Sequence, residues 1–167
     1  MTRSLLGGLL LGIVGVAGRL IPHPPNFTPV DAIALYGGAW MPSLWMGLAL
    51  PVLIMAISDL LIGWHSLWPY TWGSMMIGAV LGRYLLKTHQ FLSVVGLPVL
   101  QSTIFFAVTN FGVWLSGYYG YTMAGLWSCY VAAIPFYHYQ VLGAISYSLL
   151  LWAVERFVIR RLALSVR

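Results

Sequence analysis

Charge is what this sequence has least of. Only 7% of its 167 residues are charged, against 60% hydrophobic, where ordinary soluble domains carry about 25% charged residues. Acidic side chains are scarcest: Asp31 and Asp59 are the only two before Glu155. A chain so poor in charge is not built to face water, which argues against a soluble domain and for an integral membrane protein. Cysteine is nearly missing too. Cys129 stands alone, so no internal disulfide can form and the redox compartment is not diagnosed. A lone cysteine could ligate a soft metal, but it more often serves as a small apolar residue. Also missing are the Gly-x-Ser-x-Gly, Walker A and Rossmann patterns, and any close histidine spacing of the H-E-x-x-H kind. Nothing proposes catalysis, and neither a metal nor a cofactor is expected. With no nucleotide site the chain cannot by itself run ATP-driven transport.

What charge there is has a pattern. The net charge of +5 is no nucleic-acid signal, because no basic run is interleaved with aromatics. Arg83 and Lys87 lie mid-chain, and Arg156, Arg160, Arg161 and Arg167 lie at the end. Such clusters mark cytoplasmic flanks of membrane spans.

The apolar runs and their breaks predict the organisation of a single membrane domain over 1–167. A first span runs from Ser4 to Ile21 and stops at Pro22-His23-Pro24-Pro25, where prolines remove donors and obstruct a continuing helix. Its Arg3 start also fits a secretory signal peptide, but no clean cleavage site precedes Arg19, which favours a retained span. A short second segment covers Pro29 to Trp40, a third Ser43 to Ile62 with a kink at Pro51, and a fourth Tyr70 to Leu86. The fifth, Phe91 to Leu115, carries Pro98 in its first turns, and the last covers Tyr139 to Ile159. Between them Tyr121 to Phe136 is apolar, short and closed by Pro135, and reads as an interfacial or re-entrant segment. Six crossings put Arg3, the Arg83–Lys87 pair and the C-terminal arginines on one side, which makes both termini cytoplasmic.

That topology gathers the chemistry-bearing residues on the outer side, and a wet outward surface follows as an alternative to a plain aromatic belt. Asn26 and Thr28 can cap the second segment, with Pro29 at its first position and Asp31 completing a capping box. Alternatively Asp31 faces a cavity and binds a cationic or hydroxyl-bearing ligand. Asp59, near His65 and Trp68, lies at the same depth as Arg19, so an ion pair of Arg19 with Asp59 or Asp31 competes with a ligand-binding role. Asn110, with Trp114 close by, must either staple helices or read a ligand. Tyr130 belongs to the same outward set. The first span repeats glycine, including Gly8-x-x-x-Gly12, which suits close packing inside the bundle or docking of a partner.

Several stretches together carry a resemblance. They are Asn26-Phe27-Thr28-Pro29-Val30, Ala34-Leu35-Tyr36-Gly37-Gly38, Ser58-Asp59-Leu60, Thr109-Asn110-Phe111-Gly112-Val113-Trp114, and Gly125-Leu126 with Cys129 to Phe136. With them the chain resembles a family of uncharacterised small bacterial membrane proteins, itself similar in general plan to the substrate-binding S components of energy-coupling-factor (ECF) vitamin transporters. The resemblance implies six transmembrane helices in an S-component-like bundle in the bacterial cytoplasmic membrane, with a small vitamin-like solute bound near the outer face. It also implies that small residues of the first helix, Gly8 and Gly12, dock a transmembrane coupling subunit with its ATPases. One position departs: the family often has Gly-Asp before a tyrosine in the last helix, where Gly143 is here followed by Ala144, Ile145, Ser146 and Tyr147. The competing expectations are an assembly partner acting through the glycine face, and a metal or haem protein using His23, His65, His138 or Cys129.

Overall fold

The computed structural model describes residues 2–87 and 90–159. Among them the chain forms six α-helices and no strand: α1 (Thr2–Leu20), α2 (Val30–Trp40), α3 (Leu44–Ile62), α4 (Trp68–Leu85), α5 (Phe91–Leu115) and α6 (Met123–Val154), the last running on into a π-helical turn, Glu155–Ile159. The connections alternate between the two ends of the bundle. Arg83 Nη1 donates to Met41 O at 2.8 Å at one end, and Trp72 Nε1 donates to Asp59 Oδ2 at 2.8 Å near the other. Arg160, Arg161 and Arg167, on which the inward placement of the C-terminus rests, lie outside the described residues.

α2 is the axis of the bundle. It has 11 residues, a length of roughly 16 Å at 1.5 Å per residue, and it touches each of the other five helices. All residues from Val30 to Gly38 are buried. Glycines make that enclosure possible. Gly38 lies against the backbone of Ala79 in α4, and Gly82 of α4 lies against the backbone of Leu35 in α2, so a methyl group at either would overlap a carbonyl. Gly38 and Gly82, one on each helix, are thus the small residues that bring the two backbones together. Gly8 and Gly12 of α1 meet only side chains, Met41 Sδ at 3.2 Å and Leu50 Cδ1 at 3.8 Å from where a Cβ would stand. At the lower end Tyr36 Oη donates to Ser148 O at 3.0 Å and Ser148 Oγ to Val94 O at 2.8 Å, tying α2, α6 and α5.

The exterior is apolar where a soluble bundle would be polar. Leu9, Leu60, Leu92, Phe111, Leu142 and Leu150 all stand exposed, while the interior holds Asp31, Asp59, Gln101 and Gln140. α3 and α5 are long and apolar enough to cross a membrane, each with a mean hydropathy of 2.0 over the best window.

One expected element is corrected. The segment from Tyr121 to Phe136 is not a separate interfacial or re-entrant piece, because from Met123 onward it forms the first half of the 32-residue α6. Thr122 starts the helix, its side chain accepting from the Gly125 N–H at 3.0 Å. Pro135 lies inside the helix, as do Pro51 in α3 and Pro98 in α5. A proline deletes one donor and tends to kink a helix, and where neighbouring helices support the chain it need not stop it.

Candidate functional site

The connection from α1 to α2 builds the roof of the site. Phe27 N–H donates to Pro24 O at 3.0 Å, closing a tight turn in which Asn26 takes φ 63°, a conformation asparagine tolerates better than most residues. The turn rests on α6 at Gly143, where a side chain would meet Phe27 Cα at 3.1 Å. Phe27 packs at a tilt against Tyr147 one turn further, with ring centroids 5.8 Å apart. Gly143 therefore receives the loop, and this fixes the first turn of α2 beside Gln140.

Asp31 is 2% exposed. The capping-box expectation fails here, because Pro29, not Thr28, occupies the N-cap of α2 and no side chain caps the helix. The carboxylate turns instead across the bundle. Gln140 Nε2 of α6 donates to Oδ2 at 3.0 Å, and Gln101 Nε2 of α5 donates to Oδ1 at 3.4 Å and to Ser74 O at 3.0 Å. Gly78 leaves the room that Gln101 fills. A carboxylate has about four acceptor positions, and no cationic side chain among the described residues pairs with this one. Amide dipoles alone compensate a buried charge incompletely.

Asp31 borders a cavity of about 270 Å³ under the roof, together with Arg19, His23, Asn26, Thr28, Phe105 and Gln140. A second cavity of about 280 Å³ adjoins it, sharing Asn26, Phe105 and Gln140 and adding Thr109, Asn110 and Tyr137. The Asn110 amide itself donates to Phe106 O at 2.8 Å, within its own helix.

Asp59 has a different setting. It is 1% exposed, and Arg19 Nη1 lies 2.7 Å from Oδ1 while also donating to Ser58 Oγ at 2.5 Å. Trp72 Nε1 donates to Oδ2 at 2.8 Å, and His65 Nε2 lies 3.4 Å from the same oxygen. This carboxylate is held by its own chain and borders neither cavity. His65 belongs to that cluster, and Trp68 packs against Trp64 and Trp72 at 6.2 and 5.1 Å. Trp114 and Tyr130 stand apart: Trp114 packs on Phe111 and Tyr121, and Tyr130 Oη donates to Ala107 O at 2.6 Å. Cys129 Sγ faces Asn110 O at 3.4 Å. No three of histidine, cysteine, aspartate and glutamate gather as a metal-holding group among the described residues.

The expected solute residues thus divide. Asp31, Asn26 and Asn110 surround the paired cavities, Asp59, His65 and Trp68 form the ion-pair cluster, and Trp114 and Tyr130 staple α5 to neighbouring parts of the chain. Gln101 and Gln140 are additions. A glutamine in the middle of a long apolar helix is itself a signal, since an amide there must find a partner.

Over residues 2–164 the sequence matches the model of a family of unknown function, DUF6580. The chain belongs to DUF6580. No curated protein and no solved structure matches it. Membership attaches the polar interior of this DUF6580 chain to a family without attaching a ligand to it.

Proposed function

We propose that this DUF6580 protein is a multi-pass protein of the bacterial cytoplasmic membrane that binds a small solute at Asp31, as the substrate-binding subunit of a transport system. The observation that carries the reading is Asp31 itself: a buried carboxylate on a cavity wall, with spare acceptor capacity and no cationic partner among the described residues. Convergent polar groups in an otherwise apolar pocket are how small-solute sites are built. The apolar exterior and the two long apolar helices support the membrane setting. Six crossings of the chain, with both termini cytoplasmic, is the arrangement we propose from the basic residues, the second crossing made by the 11-residue α2 together with the segments that flank it. The resemblance to S components adds a coupling subunit with ATPases. Gly8 and Gly12 line an apolar groove of about 670 Å³ between α1 and α3, which is the face such a subunit would meet.

The test uses purified protein in nanodiscs against a panel of vitamins and small cationic or hydroxyl-bearing solutes, with Asp31→Asn beside the native chain. Binding by at least one solute, lost in the variant, is the expected result. A native chain that binds no member and carries no co-purified small molecule by mass spectrometry would refute the reading.

A further inference from the structure

We infer that the Asp31 cavity takes a zwitterion, whose ammonium group meets Asp31 and whose carboxylate meets Arg19. This rests on the reading of the cavity as a solute site and adds the substrate class. Arg19 and Asp31 border the same cavity of about 270 Å³, yet they do not pair with each other. Each is held in place from behind. Arg19 Nη1 is taken by Asp59, Ser58 and Met55 O, and its Nη2 and Nε have no hydrogen-bond partner among the described residues. Asp31 is anchored by the two glutamines and keeps acceptor capacity to spare.

Two opposite charges that share a cavity and stay apart make a bipolar site. A cation alone would answer Asp31 and leave the open Nη2 and Nε donors of Arg19 without an acceptor, while an anion alone would leave the Asp31 carboxylate without a cation. A zwitterion answers both. Val30, Met55, Met75 and Phe105 supply the apolar wall for whatever joins its ends. The cavity matches the bulk volume of about nine water molecules, which suits a short amino acid or betaine. Asp59 then has a role without touching solute: it positions Arg19 and stops it from collapsing onto Asp31.

Titration calorimetry of the full chain in nanodiscs tests this with glycine, β-alanine and γ-aminobutyrate. Butylamine and butyrate each carry one pole of γ-aminobutyrate. At least one zwitterion is expected to bind about tenfold or more tightly than either single ion, the ratio that one charge-assisted hydrogen bond supplies. Asp31→Asn should erase the preference over butyrate. Arg19→Gln combined with Asp59→Asn, which leaves no unpaired charge behind, should erase the preference over butylamine while amine binding persists. Butylamine binding as tightly as every zwitterion overturns the inference and leaves Asp31 standing as a cation site. Silence from all these probes also overturns it, and the wider panel above then decides the solute-site reading separately. The selectivity of the native chain needs no variant to fold.

Discussion

Replacing Arg19 with methionine removes the cation 2.7 Å from Asp59 Oδ1 but leaves that carboxylate 1% exposed. Its remaining partners are the Trp72 indole N–H at 2.8 Å and the His65 ring at 3.4 Å. Breaking a buried pair from one side typically costs about 3–5 kcal/mol. In lipid the unfolded chain also finds partners, so the lower end of that range is expected. Asp59→Asn should cost less, about 1–3 kcal/mol, because Arg19 keeps Ser58 Oγ and Met55 O and borders a cavity. The double variant buries no lone charge, so its loss should fall about 0.5–3 kcal/mol short of the sum. Denaturant unfolding in mixed micelles, followed by tryptophan fluorescence, gives all three values, and Trp72 sits inside the cluster as a reporter. Strict additivity, or a loss below about 1 kcal/mol for Arg19→Met, would refute the account of Asp59 as a held charge.

Four further outcomes follow from the packing and the proposed topology. Gly82→Ala drives a methyl group into Leu35 O and should lose about 1–3 kcal/mol or more in a thermal melt, whereas Gly73→Ala, with open space around it, should be neutral or gain up to about 1 kcal/mol. Gln140→Leu strips the donor from Asp31 Oδ2 and should destabilise the fold by about 1–3 kcal/mol, with Asp31→Leu in the same chain restoring part of the loss. Cys129 is 1% exposed and should resist maleimide until the protein is unfolded. In a Cys129→Ala background, a cysteine at Asn26 should then label from outside the cell and one at Lys87 only after the membrane is breached; labelling of both from one side would contradict the proposed six-crossing topology.

Local rules read the sequence well where local forces decide. The run Pro22 to Pro25 ends a helix, its three prolines all standing exposed, and α1 stops at Leu20. The same rule misjudges Pro135, whose helix is supported along its length by α5 and α2. Matching depth offered Arg19 either aspartate as a partner, and the structure chooses Asp59. Asp31 stood open between a capping box and a cavity wall, and the structure puts it on the wall. A capping box uses partners three residues away, while the real donors lie 70 and 109 residues along the chain, and no local pattern ranks one against the other. Glycine shows the same limit. Gly8-x-x-x-Gly12 and Gly78-x-x-x-Gly82 are alike on paper, and only the tertiary arrangement shows that Gly82 seats backbone on backbone while Gly78 makes room for the Gln101 side chain.

The short central helix also dictates an order of assembly. At roughly 16 Å, α2 is about half the thickness of a bilayer core, so it has no stable place in lipid alone. Its enclosure draws on α4, α5 and α6, which the ribosome delivers last. The carboxylate of Asp31 meets Gln140 only once α6 has docked. A nascent chain halted before that helix would hold its acidic residue with half of its amide donors unmade. The donors that hold the buried carboxylate are therefore assembled only when α5 and α6 have both closed on α2.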